Sequence, residues 1–529
     1  MSIEEFKPPE RFPQKIVKNT IYNIIGNFTL LIIGFILVPY IIKHIGVNVY
    51  GNIWVVAIII ISFSQLFDFG FGSTCTKYVA EYHTKAEILN LNKIINSVLF
   101  FFLILWIIIF PLIVFFKEEI VLLLGTSADL KSEMYFVLFI TTGIVAVNHI
   151  TSPFYASINA IQRYDLLNIA IISGAIFNLI LIIILFNTGF GVNGLAVSYF
   201  LFYLLIAISV TVYSFKLLPG LKINFKYVSI ETLKKVFSFG TNLQINRIAQ
   251  VLVFQLDKFL VLKFFGGNYA AYYEIGTKIT GFARSIPLLL VSAVVPAASE
   301  LDAKGEKLKL NILFETGTRY LIIGGLLIGG FIFTHANLLI QSWVGKKLTV
   351  EGISIASSII RLIILGYFAN MITGAMSSIA LGFDRTDFER RAGIITIIMF
   401  PISVLIFLPY FGFWGIPISV AFTIIVSAVY YMLTFVRFVD YRFQNILIML
   451  IKPFITTVVS GFLTYLLFQI FPVNLIEKRI GGIIAVSVLF LFYFVIFSGS
   501  IIFLKGYTNT DLLVLKMFIE KLRSVKSKI

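Results

Sequence analysis

The sequence predicts an all-α polytopic membrane protein of about fourteen transmembrane helices, built as two pseudo-symmetric six-helix bundles plus two C-terminal helices. Hydrophobic residues make up 59 % of the 529 and charged residues only 13 %. The mean hydropathy is +0.97, a balance that no water-soluble fold can cover. Apolar runs of about 20 residues, the length that crosses a roughly 30 Å hydrocarbon core, recur between short polar breaks along the whole chain. Blocks from the first half also return in the second at a near-constant spacing.

Residues 1–19 carry Lys7, Arg11, Lys15 and Lys18 and are expected as a cytoplasmic N-terminal segment. The apolar run that follows, from near Thr20, is too long for a signal-peptide core and has no small-residue cleavage pattern after it, so it is expected to stay as the first membrane helix. Apolar runs bounded by charge, Gly or Pro place helices at about 20 to 43, 50 to 70, 94 to 116, 133 to 157, 166 to 187 and 193 to 214. These form a first bundle over 20–231. A second set at about 240 to 263, 269 to 297, 313 to 334, 354 to 381, 393 to 409 and 414 to 436 forms a second bundle over 232–437. Helices near 447 to 471 and 480 to 504 complete the membrane part within 438–505. Over 506–529, Leu512, Leu515, Phe518, Ile519, Leu522 and Val525 recur at helical spacing among lysines, which predicts a cytoplasmic amphipathic helix on the inner leaflet.

Orientation follows from the distribution of Lys and Arg. With the N-terminus inside, 28 of the 42 lie on the cytoplasmic side, 8 on the other and 6 within helices, which puts both termini in the cytoplasm. The net charge of +16 therefore reads as attraction to anionic lipid, not nucleic acid, because no soluble module carries a basic cluster.

The repeat is the most informative feature. Asn23 and Asn27 recur as Asn242 and Asn246, 219 residues on. Lys43-His-Ile-Gly46-Val-Asn48 recurs as Lys263-Phe-Phe-Gly266-Gly-Asn268 at 220, and Gly191-Val-Asn-Gly194-Leu-Ala-Val-Ser198 as Gly412-Phe-Trp-Gly415-Ile-Pro-Ile-Ser419 at 221. An even number of helices per copy returns the chain to the same side, so the copies are expected parallel, about an axis along the membrane normal, around a cavity that opens alternately to either face.

An ionisable side chain at the bilayer centre costs about 2.5–3.5 kcal/mol, so each one needs a partner, a wet cavity or a function. The seventh helix carries Asn242, Asn246, Arg247, Gln250, Asp257 and Lys258. Residues eleven apart lie about 20° apart around an α-helix, which aligns Arg247 with Lys258 and Asn246 with Asp257. This polar face is expected to line the cavity, with helix-to-helix hydrogen bonding as the alternative. On the eighth helix Glu274 and Lys278 are four apart, placed either to neutralise each other or to serve the site, and Arg284 is the stronger ligand candidate. Arg319 and Arg361 lie near helix ends, where snorkelling to the interface competes with a cavity role. Asp68, in Asp68-Phe-Gly70-Phe-Gly72, has two open readings, a coupling-cation ligand or a cap on backbone amides; Asp257 and Glu274 are further ion-coupling candidates. The excess of fixed positive charge favours an anionic cargo, and guanidinium groups fit a pyrophosphate bidentately.

Several classes are set aside. Cys75 is the only cysteine and the four histidines have no ligand spacing, so neither a disulfide nor a metal site is expected, and no cofactor is. There is no P-loop. The longest outer connection, about 334 to 353, offers no paired carboxylates for acid/base chemistry, which counts against an enzyme such as a membrane polymerase or glycosyltransferase.

Tyr50-Gly51 opening the second helix, Asp68-Phe-Gly-Phe-Gly72, Gln162-Arg163-Tyr164 after the fourth, and the Gly-x-x-Gly openings at Gly191 and Gly412 together resemble the polysaccharide-transport flippases of the multidrug/oligosaccharidyl-lipid/polysaccharide exporter superfamily, over essentially the whole chain. The resemblance implies a bacterial inner-membrane protein, not an enzyme, that flips an undecaprenyl-pyrophosphate-linked oligosaccharide (an O-antigen, capsule or exopolysaccharide unit) to the outer leaflet. It further implies an H+ or Na+ gradient as driving force and other polysaccharide-assembly membrane proteins as partners. The cationic cavity role is carried to Arg247, Lys258 and Arg284, and then to Lys278, Arg319 and Arg361. A multidrug extrusion antiporter is the rival within transport; the extra helix pair and the cationic cavity count against it.

Overall fold

The computed structural model describes residues 11–289, 294–472, 479–504 and 506. The amphipathic helix expected over 506–529 lies, Gly506 apart, outside the described residues. All regular structure among the described residues is helical. Among the described residues ten helical stretches are long and apolar enough to cross a membrane, and apolar side chains on them face outward, as lipid permits: Ile107 is 69 % and Leu405 75 % exposed. Two of the ten, Ile25–Asp68 and Asp387–Phe438, each contain two of the expected helices. The first is divided at Gly46 (φ 78, ψ 163) and the second at Gly412 (φ 54, ψ −130). The expected helices near 240 to 263 and 269 to 297 are not among the ten. They appear as Ile230–Val251, a π-turn over Leu252–Leu256, Asp257–Phe265 and Gly267–Leu289, and their charges are what lowers their hydropathy. The first helix extends from Arg11 to Val49, starting before the expected Thr20.

The chain divides into two compact units, Met1–Ala271 and Tyr272–Ile529. The helix Ile230–Val251 packs in the first unit, against Phe71–Thr84 and Ile88–Phe115. There the core at one end is aromatic and aliphatic, with Phe71, Cys75, Val79, Ile95, Val98 and Phe102 fully or almost fully buried.

The sequence repeat reappears in the backbone. Left-handed residues occur in pairs 219–222 apart: Gly46 and Gly266, Ala86 and Gly305, Gly125 and Gly345, Gln162 and Asp384, Gly191 and Gly412, Gly220 and Asp440. Side chains follow. The i,i+4 ion pair Glu81–Lys85 matches Glu300–Lys304, and Arg163–Asp165 matches Arg385–Asp387. Outside the membrane, the lysine hydrogen bond holds the Glu81 carboxyl, and likewise that of Glu300, below the usual glutamate value.

The connection between the sixth and seventh expected helices is pinned by two asparagines one turn apart on Ile88–Phe115. Asn92 donates to Gly220 O (2.9 Å) and accepts from Lys222 N (2.7 Å). Asn96 donates to Lys222 O (2.8 Å) and accepts from Asn224 N (2.9 Å). A carboxamide offers both a donor and an acceptor, so it pairs with extended backbone as a neighbouring strand does. Asn92→Leu or Asn96→Leu strands one backbone N–H and one C=O, an expected loss of about 1–3 kcal/mol each. Limited proteolysis should then cut 218–229 several-fold faster; unchanged cleavage would show that the clasp does not hold the connection.

Candidate functional site

The site is built on a broken helix. The second expected helix tightens into a 3-10 turn over Ser64–Asp68, and Phe69 (φ 50) and Gly70 (φ 73) are both left-handed. A new helix then starts at Phe71 and runs to Thr84. Such a break frees carbonyls that lipid cannot satisfy, so side chains must take them. His149 Nε2 reaches Ser64 O at 3.2 Å, while its Nδ1 accepts from Trp106 Nε1 at 3.3 Å. Because indole only donates, Nδ1 is the acceptor and Nε2–H the donor. Gln244 Nε2 donates to Gln65 O (3.1 Å) and Leu66 O (2.7 Å).

Gly240, Gln244 and Arg247 are spaced four and three apart and lie on one face of Ile230–Val251. All three meet the break. A Cβ on Gly240 would fall 2.1 Å from Phe69 O, and one on Gly70 2.5 Å from Gly240 O, so the two backbones touch. Three residues beyond Gln244, the Arg247 guanidinium forms an ion pair with the Asp68 carboxylate and donates from its other terminal nitrogen to Ser73 Oγ at 3.1 Å. The pair is only partly covered, with 28 % of the Arg247 and 15 % of the Asp68 side chain exposed. Arg247 lines a cavity of about 650 Å³ within the first unit, together with Ser73, Thr76, Asn148, Thr151 and Asn159. Its wall sets hydroxyls, carboxamides and one guanidinium among apolar side chains such as Leu30, Ile171, Phe202 and Ile206, a surface able to hold an anionic group beside apolar and sugar parts of a ligand.

The structure brings together Asp68, Ser73 and Arg247, a meeting that neither sequence reading of Asp68 contained. It also changes the alignment expected along the seventh helix. The π-turn Leu252–Leu256 lies between Arg247 and Lys258, and its wider turn shifts the phase assumed for an unbroken α-helix. Asp257 and Lys258 are buried, Asp257 accepting from Lys258 N at 2.7 Å, and Gln250 is exposed. The side chains of Asn242 and Asn246 lie outside the described set. Asn23 accepts from Asn168 Nδ2 at 3.0 Å, joining two helices, and Asn27 is exposed.

In the second unit, Arg284 Nε donates to Asn370 Oδ1 at 2.9 Å and the guanidinium lies 5.6 Å from the Tyr367 ring centroid. Glu274 and Arg319 are buried and Lys278 half-buried. Arg361 donates to Phe333 O at 3.2 Å on the wall of a mostly apolar cavity of about 580 Å³ lined also by Gly329, Phe368, Phe454 and Phe462. Among the described residues no cluster of His, Cys, Asp and Glu has the makings of a metal site.

The chain is 20 % identical over 359 residues to a Shigella flexneri protein named "Putative O-antigen transporter", covering 68 % of this chain and 82 % of that one. In fold it is similar to the lipid II flippase MurJ in an inward closed conformation, with a TM-score of 0.70 at 16 % identity over 92 % of this chain and 99 % of that one. It is similar as well to an inward-facing multidrug resistance MATE family transporter of the MOP superfamily, with a TM-score of 0.66 at 16 % identity over 80 % and 94 %. The family model described as "Polysaccharide biosynthesis protein" matches residues 16–302, more than half of the chain and the whole stretch that carries Asp68, Ser73 and Arg247. This all-helical membrane protein belongs to that polysaccharide biosynthesis protein family.

Proposed function

We propose that the chain is a flippase that carries an undecaprenyl-pyrophosphate-linked oligosaccharide from the cytoplasmic to the outer leaflet by alternating access, driven by an H+ or Na+ gradient. The observation that carries this reading is the Arg247 guanidinium on the wall of a roughly 650 Å³ cavity whose largely apolar lining also holds the hydroxyls and carboxamides of Ser73, Thr76, Asn148, Thr151 and Asn159. A guanidinium stays charged at any physiological pH and presents paired donors to a phosphate, and the neutral polar groups suit a sugar. Family membership and the O-antigen transporter named among its relatives support the same cargo. Both termini are assigned to the cytoplasm on the Lys/Arg asymmetry, and no step of bond chemistry is needed.

The test measures surface polysaccharide and membrane protein level together for Lys and Glu at Arg247, and for Ala, Lys and Glu at Arg284. Loss of polysaccharide in the Glu variants and in Arg284→Ala, with partial recovery in the Lys variants, is expected per unit of protein in the membrane, a normalisation needed because Arg247→Glu also leaves Asp68 without its counter-charge. Full polysaccharide production by the Glu variants would overturn the anionic-cargo reading, since a carboxylate repels a pyrophosphate.

A further inference from the structure

Asp68 sits where an anionic ligand of Arg247 would sit. Its carboxylate takes the guanidinium directly beside Ser73 Oγ, the second acceptor of the same side chain. Ser73 and Arg247 both line the cavity. The carboxylate also lies over the first turn of the helix Phe71–Thr84, 3.8 Å from the point where a Gly72 Cβ would be. The same ion pair is one of several attachments between the helix break and a single face of Ile230–Val251. Two others, Gly240 against Phe69–Gly70 and Gln244 on Gln65 and Leu66, involve backbone that no ligand can replace, and a further one sets the Phe69 ring 5.6 Å from that of Phe237. Only the Asp68–Arg247 attachment has a partner that an incoming anion can displace.

We infer that Asp68 is a built-in stand-in for the cargo's diphosphate: it occupies Arg247 in the empty protein, and the phosphate groups of the cargo displace it, freeing its carboxylate and opening one of the attachments at the helix break. This rests on the anionic-cargo reading above and adds to it a role for Asp68. The chemistry is an exchange of one charge-assisted hydrogen bond for another, so no bond is made or broken covalently. A diphosphate brings more charge and more acceptor oxygens than a carboxylate and can engage both the guanidinium and Ser73. A cargo without an anionic group lacks the means to break the pair, so the same contact selects loaded carrier over neutral lipid. The cost to binding is the fraction of time the guanidinium is covered: a pair closed about nine-tenths of the time weakens apparent affinity about tenfold.

The test uses the purified full-length protein in phosphatidylcholine nanodiscs with farnesyl diphosphate as probe, and compares wild type with Asp68→Asn and Arg247→Ala, counting only the folded, monodisperse fraction of each because Arg247→Ala also leaves Asp68 without its counter-charge. Asp68→Asn keeps the shape but not the charge, and is expected to bind the probe roughly tenfold tighter, while Arg247→Ala binds at least tenfold more weakly. Weaker binding in Arg247→Ala with unchanged or weaker binding in Asp68→Asn overturns the stand-in role and leaves the anionic-cargo reading intact. Wild-type binding by Arg247→Ala sinks that reading, and the inference with it. A second measurement needs no variant: in the wild type, the probe should raise backbone hydrogen exchange across 64–74 by releasing Asp68. Saturating probe with no change in that segment would equally overturn the displacement.

Discussion

Replacing Arg247 by leucine is expected to destabilise the protein, and replacing Asp68 by leucine in the same chain is expected to restore much of what was lost. The reason lies in the environment of the pair. Asp68 ends the 3-10 turn at the helix break and Arg247 lies on Ile230–Val251, and each is the counter-charge of the other. Removing one partner of a buried pair leaves an uncompensated charge, which costs about 3–5 kcal/mol, whereas replacing both with apolar groups is often near neutral. Because 28 % of the Arg247 side chain is exposed, the single loss should fall toward the lower end of that range. Thermal unfolding in detergent, read together with membrane abundance, gives the double-mutant cycle. The double variant should be stable and inactive in polysaccharide production, because the guanidinium is gone. A stable single Arg247→Leu variant would show that the pair is solvated and carries no structural load. A double variant as unstable as the singles would show that the charges act through other partners. Alanine or glutamate at Arg247 therefore removes a structural contact as well as a ligand contact, which is why Arg247→Lys, which keeps the counter-charge but loses the paired donors, is the informative variant for cargo.

Much of this architecture was legible in the chain because lipid imposes a simple rule on long apolar runs. The repeat was legible for a different reason. Turns that need left-handed residues keep small or polar side chains, so Gly46 and Gly266, or Gly191 and Gly412, mark equivalent corners. The concentration of charge on the seventh and eighth helices was equally plain. What periodicity withheld is which side chain meets which. Asp68 and Arg247 are 179 residues apart, and a helical wheel assigns each a face but not a partner. The break at Phe69 and Gly70 was hinted at only by the glycines, and its orphan carbonyls drew in His149 and Gln244, residues that the sequence pattern did not mark for any site. The π-turn Leu252–Leu256 has no composition signal at all, and it undid an alignment computed for an ideal helix. Two oppositely charged residues on apolar helices do carry a usable signal: each is costly alone, so a pairing between helices deserves to be tested beside any functional role.

The same break leads to a second large effect. Gly70→Ala and Gly240→Ala are each expected to remove most folded protein from the membrane, although each adds a single methyl group. Gly70 has φ 73, and a Cβ there would lie 2.5 Å from Gly240 O and 2.7 Å from Gly240 Cα. Both obstacles are backbone, so no side-chain rotation relieves them. Left-handed strain of order 1–3 kcal/mol therefore adds to overpacking of about 1–3 kcal/mol. Gly240 lacks the strain, but its Cβ would approach Phe69 O to 2.1 Å, which forces the helix Ile230–Val251 away from the break. That displacement withdraws Gln244 from the carbonyls of Gln65 and Leu66 and Arg247 from Asp68, so the cost of the methyl is multiplied by the polar groups it strands. Gly34→Ala is the control: it lies within a helix with nothing within 4 Å of its would-be Cβ, and alanine there should be neutral or slightly stabilising. Membrane abundance and unfolding temperature of the three variants decide the matter. If Gly240→Ala matches Gly34→Ala in both, the two backbones are not in contact, and the geometry that places Arg247 on Asp68 fails with them.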